Sequence, residues 1–198
     1  MAKEVILVGH GGHSKSCIEV FKEKKIFKIF GYIDLKKKNS VYKYLGKDEE
    51  IYNFIKKYYF LISFAFIKNY KNRDQLIKKL NSLDAKFINL VSNKAYVSKS
   101  SKIGEGVTVL KFAYIGPDTN IGSHSIVNTG VVVEHDVKIG KNVHLATKSV
   151  VNGESSIGDN TFIGSGTIIS NNISIGRNVI IGSGLKITKD IESNSKII

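Results

Sequence analysis

Two hydrophobic rhythms divide the chain. From Val97 an aliphatic residue returns at every sixth position: Ile103, Val109, Ile115, Ile121, Val127, Val133, Ile139, Leu145, Val151, Ile157, Ile163, Ile169, Ile175, Ile181 and Ile187. The position after the beat is often glycine, as at Gly104, Gly116, Gly122, Gly140, Gly158, Gly164, Gly176 and Gly182. Two before the beat stands a small or branched residue, such as Ser101, Ala113, Thr119, Ser125 or Val137. An amphipathic helix needs apolar residues at three-and-four spacing, and a plain strand alternates with period two. A strict six fits neither. It predicts a parallel β-helix of hexapeptide repeats over residues 93–198, with three hexads, about eighteen residues, to each triangular coil.

The first half follows a different rhythm. Apolar runs at Glu4–Val8, Ile29–Ile33, Tyr59–Phe64 and Phe87–Val91 read as strands, and Ser16–Lys25, Asp48–Lys57 and Asn72–Leu80 as helices. Strands alternating with helices predict a small parallel sheet covered on its faces, so residues 1–92 are expected to form an α/β domain of Rossmann-like type. Lys36–Lys43 reads as a surface loop.

Composition narrows the field. The longest apolar runs, such as Val5–Val8 and Tyr58–Ile62, are far too short for a membrane span. Cys17 is the single cysteine, which rules out an intrachain disulfide and a cysteine zinc site. Without an apolar leader after Met1, a cytoplasmic setting is expected. The formal net charge of +13 comes almost wholly from lysine scattered over both halves, with only Arg73 and Arg177 as arginines. That scatter argues against a nucleic-acid-binding patch and is compatible with drawing in anionic nucleotides or coenzymes.

Candidate chemistry lies at two places. Gly9-His10-Gly11-Gly12-His13-Ser14-Lys15 follows the first strand, where a glycine-rich turn brings backbone N–H groups and a helix start up to a phosphate. Gly9 and Gly11 fit the first two glycines of a dinucleotide fingerprint, but Ser14 stands where the third belongs. Asp34, closing the second strand, is placed to accept hydrogen bonds from a ribose or a base edge. The second place is where the companion glycines fail, at Asn128 and at Glu134-His135-Asp136. Gly153 follows His135 by one coil of eighteen, so the two stack on neighbouring strands about 4.8 Å apart. An imidazole titrates near working pH and suits a general base, and either adjoining carboxylate could fix its tautomer. His124 reads as a surface turn residue. His124, His135 and His144 lack a close histidine pair, so no metal site is expected.

The glycine-rich loop, Gly31-Tyr32-Ile33-Asp34 and the hexapeptide array together resemble the bacterial sugar acetyltransferases. These are the sialic acid O-acetyltransferase and nucleotide-aminosugar N-acetyltransferase group, with the bacillosamine, viosamine and perosamine enzymes among them. The resemblance covers nearly the whole chain. It implies a left-handed β-helix, a homotrimer with active sites between subunits, and acetyl-CoA as co-substrate without a metal. It implies acetyl transfer to the amine of a UDP- or other NDP-linked 4-amino-4,6-dideoxy sugar, in bacterial glycan, O-antigen or capsule synthesis. Carried over residue by residue, it implies His135 as base, Asp136 as its partner and the Gly153 N–H as oxyanion donor. His144 would contact the coenzyme near the thioester and Asn128 would lie near the sugar. Gly9, Gly11, Gly12 and Lys15 would lie by the phosphates and sugar, His13 would reach the sugar, and Asp34 would lie near the base. Two departures concern the base: Leu35 stands where the family often has a second acid, and Ser63-Phe64-Ala65-Phe66 replaces an Ile-Gly-Asn-like turn. A sialic acid O-acetyltransferase is the alternative, distinguished by an alkali-labile product; a non-catalytic trimeric scaffold or binding module would not bind acetyl-CoA.

Overall fold

The computed structural model describes residues 2–198. Strands β1 (Lys3–Val8), β2 (Phe27–Ile33), β3 (Tyr59–Ile62) and β4 (Lys86–Phe87) form a parallel sheet in the order β2-β1-β3-β4. Side chains alternate across a strand, so the sheet feeds two cores. Ile6, Val8, Ile33, Phe60 and Ile62 pack with Leu76, Ile77 and Leu80 of α2 (Lys71–Ser82). Val5, Leu7, Tyr32 and Leu61 pack with Cys17, Val20 and Phe21 of α1 (Gly12–Phe21). The second core also takes in Leu90 and Leu110, which fastens the sheet to the β-helix.

Several local expectations shift. Helix α1 starts at Gly12 rather than Ser16, because the end of the glycine-rich loop is already the first helical turn. The segment expected as a helix from Asp48 to Lys57 is a short 3-10 helix, Asp48–Asn53. The strand expected at Phe87–Val91 is split, with Lys86–Phe87 in the sheet and Leu90–Val91 pairing with Thr108–Val109 of the β-helix.

The hexapeptide array folds into three parallel sheets. The first face stacks strands from Leu90–Val91 through Ile126–Val127 and His144–Leu145 to Lys196–Ile197. The second runs from Tyr96–Val97 through Val132–Val133 to Lys186–Ile187, and the third from Lys102–Ile103 through Lys138–Ile139 to Ser174–Ile175. Each strand is two residues long. Its second residue is the aliphatic beat, pointing inward into one continuous core; its first residue faces out.

The corners obey the same period. Positive φ recurs at every sixth residue from Gly106 to Gly184, three positions after each beat. Asn and Asp tolerate this conformation better than most side chains, and Asp118, Asp136, Asn142, Asn160, Asn172 and Asn178 occupy it, but so do Phe112, His124, Lys148 and Glu154. The beat is lost once. Ile191 bridges Ile175 and Lys196 pairs with Ile180, sixteen residues apart where earlier coils need eighteen, so the last coil is two residues shorter.

Candidate active site

His135 sits on the corner between the second and third faces, just after strand Val132–Val133. The register places Val133 opposite Val151, which brings Gly153 under the imidazole. A Cβ on Gly153 would lie 2.6 Å from both Cε1 and Nε2 of His135. The ring therefore fills the space that only a glycine leaves. Its Nδ1 donates to Asp136 Oδ2 at 2.9 Å, so Asp136 is the carboxylate that engages it, and Nε2 is left over Gly153. The hydrogen bond to Asp136 is the main reason that His135 is held above its ordinary value; the charges of Asp136, Glu134 and Glu154 act the same way. His135 and Asp136 are each about half exposed.

His144 and Asn128 belong elsewhere. His144 faces outward from the first face, and Asn128 lies on the corner between the first and second faces. His144 Nδ1 donates to the carbonyl of Phe66 at 2.7 Å, which turns Nε2 towards Asn128 Nδ2, 3.4 Å away. Burial pushes His144 down to about 4, so it is a neutral imidazole with a defined tautomer. His13, from the first turn of α1, is 6.4 Å away between ring centroids, and it too is pushed down, to about 3, by burial and by the nearby His144 and Arg73. His13, His144 and Asn128 thus gather where the α/β domain meets the β-helix. Asn128 and His144 line a cavity of about 460 Å³ with Phe162, Ser165 and Lys196. Within one chain this cluster and His135 occupy opposite edges of the second face.

A second cavity, about 570 Å³, opens at the carboxyl ends of β1 and β2, where doubly wound sheets bind ligands. It is lined by Gly9, His10, Gly11, Asp34 and Leu35, by Phe64, and by Asn72, Gln75 and Lys79 on one face of α2. Gly9 has φ +94, and a Cβ there would meet Phe64 at 2.9 Å, so the turn demands glycine twice over. Nothing lies within 4 Å of the Cβ positions of Gly11 or Gly12, which leaves the start of α1 open. Lys15 is exposed on the same first turn. Asp34 has a task beyond the expected one: its Oδ2 accepts the His10 N–H at 2.8 Å and so braces the loop. The His10 ring stacks on Tyr32 at 4.1 Å and pairs with Ser40 Oγ at 2.9 Å.

One expectation is corrected. His124 is not a surface turn residue; it is 3 % exposed, packs edge-on against Phe87, and is pushed down to about 4 by burial. Its carbonyl accepts from the guanidinium of Arg73, a fully buried residue of α2. Arg73 also bonds the Phe64 carbonyl and the Asn142 side chain. Helix α2 is thereby locked to the corners of the β-helix. Sequence reading passed over Arg73, His10 and the α2 residues of the cavity. The spacing of Asn72, Gln75 and Lys79, which puts three polar side chains on one helical face beside Leu76, was the available signal.

Two families match this chain, the PglD N-terminal domain over residues 4–80 and the bacterial transferase hexapeptide repeat over 100–135 and 154–189. PerB of Caulobacter crescentus, solved with CoA and GDP-perosamine, superposes with a TM-score of 0.87 at 27% identity, over 96% of this chain and 91% of that one. The chain joins the same two modules, in the same order, as the sugar acetyltransferases it resembles. The acetyltransferase domain of PglB from Neisseria gonorrhoeae, solved with acetyl coenzyme A, shares the fold with a TM-score of 0.90 at 24% identity, over 99% and 96% of the two chains. WeeI from Acinetobacter baumannii superposes at 0.74 with 21% identity, over 98% and 96%. No curated protein matches the chain in sequence. The transferase repeats and the likeness to PerB together make it an acetyltransferase; no helix among the described residues is long and apolar enough to cross a membrane.

Proposed function

We propose that this enzyme transfers acetyl from acetyl-CoA to the amine of a nucleotide-linked aminosugar, with His135 as general base. One observation carries the reading: an imidazole whose Nδ1 is fixed by Asp136 and whose Nε2 stands over a glycine at a coil corner. The amine nitrogen attacks the thioester carbonyl while His135 Nε2 takes its proton. The Gly153 N–H stabilises the oxyanion. Collapse breaks the C–S bond, and the proton returns from the imidazolium to the CoA thiolate. Coenzyme A and GDP-perosamine in the PerB structure, and acetyl coenzyme A in that of the PglB domain, support this choice of ligands.

The sugar nucleotide would enter the cavity of the α/β domain, its phosphates at Gly11, Gly12 and Lys15 by the open start of α1. His13 and Asn128 would face the sugar, and His144 would face the coenzyme near its thioester. Such a site needs a second chain. Five of the six outward side chains of the second face, Tyr96, Tyr114, Val132, Val150 and Ile168, form an apolar stripe that ends at Lys186, with Tyr96 and Tyr114 stacked 5.2 Å apart. The third face instead presents Lys102, Asn120, Lys138, Ser156 and Ser174. Three copies turned with their apolar faces to a threefold axis would bring the His135 corner of one beside the Asn128 corner of the next.

The test follows thiol release from acetyl-CoA against a panel of nucleotide-linked aminosugars. On the responsive substrate, His135→Ala should lower kcat by about 100-fold or more while coenzyme binding persists. Full activity of that variant would refute the assignment.

A further inference from the structure

The cavity of the α/β domain is mixed in character, and its polar groups are not equally free. With the phosphates at Gly11 and Gly12, the nucleobase falls at the opposite end, between Asp34, the 3-10 helix that begins at Asp48, and α2. Val8, Ile33, Phe64 and Leu76 supply apolar walls for the faces of a ring. Of the polar residues there, Asp34 is engaged by the N–H groups of His10 at 2.8 Å and Lys36 at 3.4 Å. The ammonium of Lys79 donates to the Asp48 carbonyl at 3.0 Å and lies 5.0 Å over the Tyr52 ring. The Asp48 carboxylate and the amides of Asn72 and Gln75 are left. The hydrogen bonds of the described residues include no donor to that carboxylate.

A carboxylate accepts and never donates, whereas a side-chain amide does both. The edge it prefers is one with two adjacent N–H donors, which it can hold bidentately. Among the common bases only guanine offers that, in N1–H beside the exocyclic N2 amine. Uracil and thymine offer a single N3–H flanked by carbonyl oxygens that a carboxylate repels. Adenine and cytosine set one amine beside a ring nitrogen that is itself an acceptor. The amides of Asn72 and Gln75 can serve O6 and N7 of guanine, acceptors that the carboxylate cannot. The same arrangement excludes the other bases by the repulsion it builds in.

We infer that this pocket selects guanine, so that the acceptor is a GDP-linked aminosugar and Asp48 is the residue that decides the base. The inference rests on the nucleotide-sugar reading above and narrows its sugar nucleotide, for which UDP was one expectation. Burial raises the Asp48 carboxyl, with Lys79 opposing the shift and Glu49 and Asp34 adding to it.

The experiment is calorimetric titration of the full chain with GDP, UDP, dTDP, CDP and ADP at one ionic strength. GDP should bind about tenfold or more tightly than each of the others, the discrimination of one bidentate contact. In Asp48→Asn the GDP affinity should fall by about tenfold with UDP affinity nearly unchanged. Tighter binding of UDP or dTDP by the unsubstituted protein overturns the guanine assignment and leaves the acetyltransfer reading standing. A GDP-to-UDP ratio that survives in a folded Asp48→Asn protein removes Asp48 from the role. Binding of none of the five would sink the nucleotide-sugar reading itself, and this inference with it. The ranking in the unsubstituted protein needs no variant, so a variant that fails to fold cannot hide the answer.

Discussion

Two contacts at His135 do separable jobs, and each can be removed. Asp136 raises the imidazole, chiefly through its hydrogen bond to Nδ1. A base works only when neutral, so if His135 has the role proposed for it, activity is lost as pH falls through that raised value. Asp136→Asn should move the acidic limb of the kcat/KM profile to lower pH. It should also cost rate on the plateau, because the tautomer is no longer fixed. An unmoved limb would mean that Asp136 does not act on the base. Gly153 is the second contact. Alanine fits its backbone, which lies outside the positive-φ region, but its methyl would sit 2.6 Å from Nε2. The imidazole must then shift by about 1 Å, and a misplacement of that size costs about 100-fold in kcat. Gly153→Ala should therefore nearly match His135→Ala in rate while melting like the parent. The pairing of His135 with Gly153 was legible because a coil is eighteen residues and nothing interrupts the count between them. The choice between Glu134 and Asp136 was not, since it depends on the positive φ of Asp136, a corner geometry that the spacing does not reveal.

At the level of elements, one edge of the β-helix carries an asparagine ladder. Asn142 Nδ2 donates to Asn160, Asn160 to Asn178 and Asn178 to Asn194, at 2.8, 3.4 and 2.9 Å. All four residues have positive φ. The ladder ends on Arg73, which brings a buried charge with no carboxylate beside it. Glycine is at ease in this conformation, so Asn→Gly removes the side chain without adding backbone strain. Asn160→Gly breaks bonds between neutral partners and should cost about 1 kcal/mol; Asn142→Gly strips an acceptor from a buried guanidinium and should cost about 3 kcal/mol. Denaturant titration of the two variants checks the ordering, and equal losses would show that Arg73 gains nothing from Asn142. The ladder itself lay in the sequence as Asn142, Asn160 and Asn178 at coil spacing. Its anchor did not, because Arg73 comes from a helix 69 residues earlier and has no local signature. The same long-range contact explains why His124 looked like a surface residue: its own hexad gives no hint that α2 and Phe87 cover it. The shortened last coil was invisible for a different reason. Ile191 falls off the beat, and only pairing with Ile175 reveals that the coil has closed two residues early.

For the whole molecule, the decisive arrangement is the separation of His135 from the cluster of His13, Asn128 and His144 by the width of the second face. The beat gave no sign of this division, because it marks the inward residues, whereas the division follows from which outward residues are apolar. If a site is built from the His135 corner of one subunit and the His144 cluster of the next, two inactive variants should rescue each other. Chains carrying His135→Ala lack the base but keep the cluster; chains carrying His144→Ala keep the base. In trimers assembled at random from equal amounts, a site is intact when a His144→Ala chain supplies its base and the adjoining His135→Ala chain its cluster. That holds at about one interface in four, so co-assembled chains should recover about a quarter of the parent activity, against the near-zero rate of either variant alone. Mixing the two proteins after each has assembled should recover nothing until the subunits are allowed to exchange. A site complete within one chain predicts the opposite, namely no recovery under any mixing. Complementation therefore tests the shared site without requiring the sugar's identity beyond one responsive substrate.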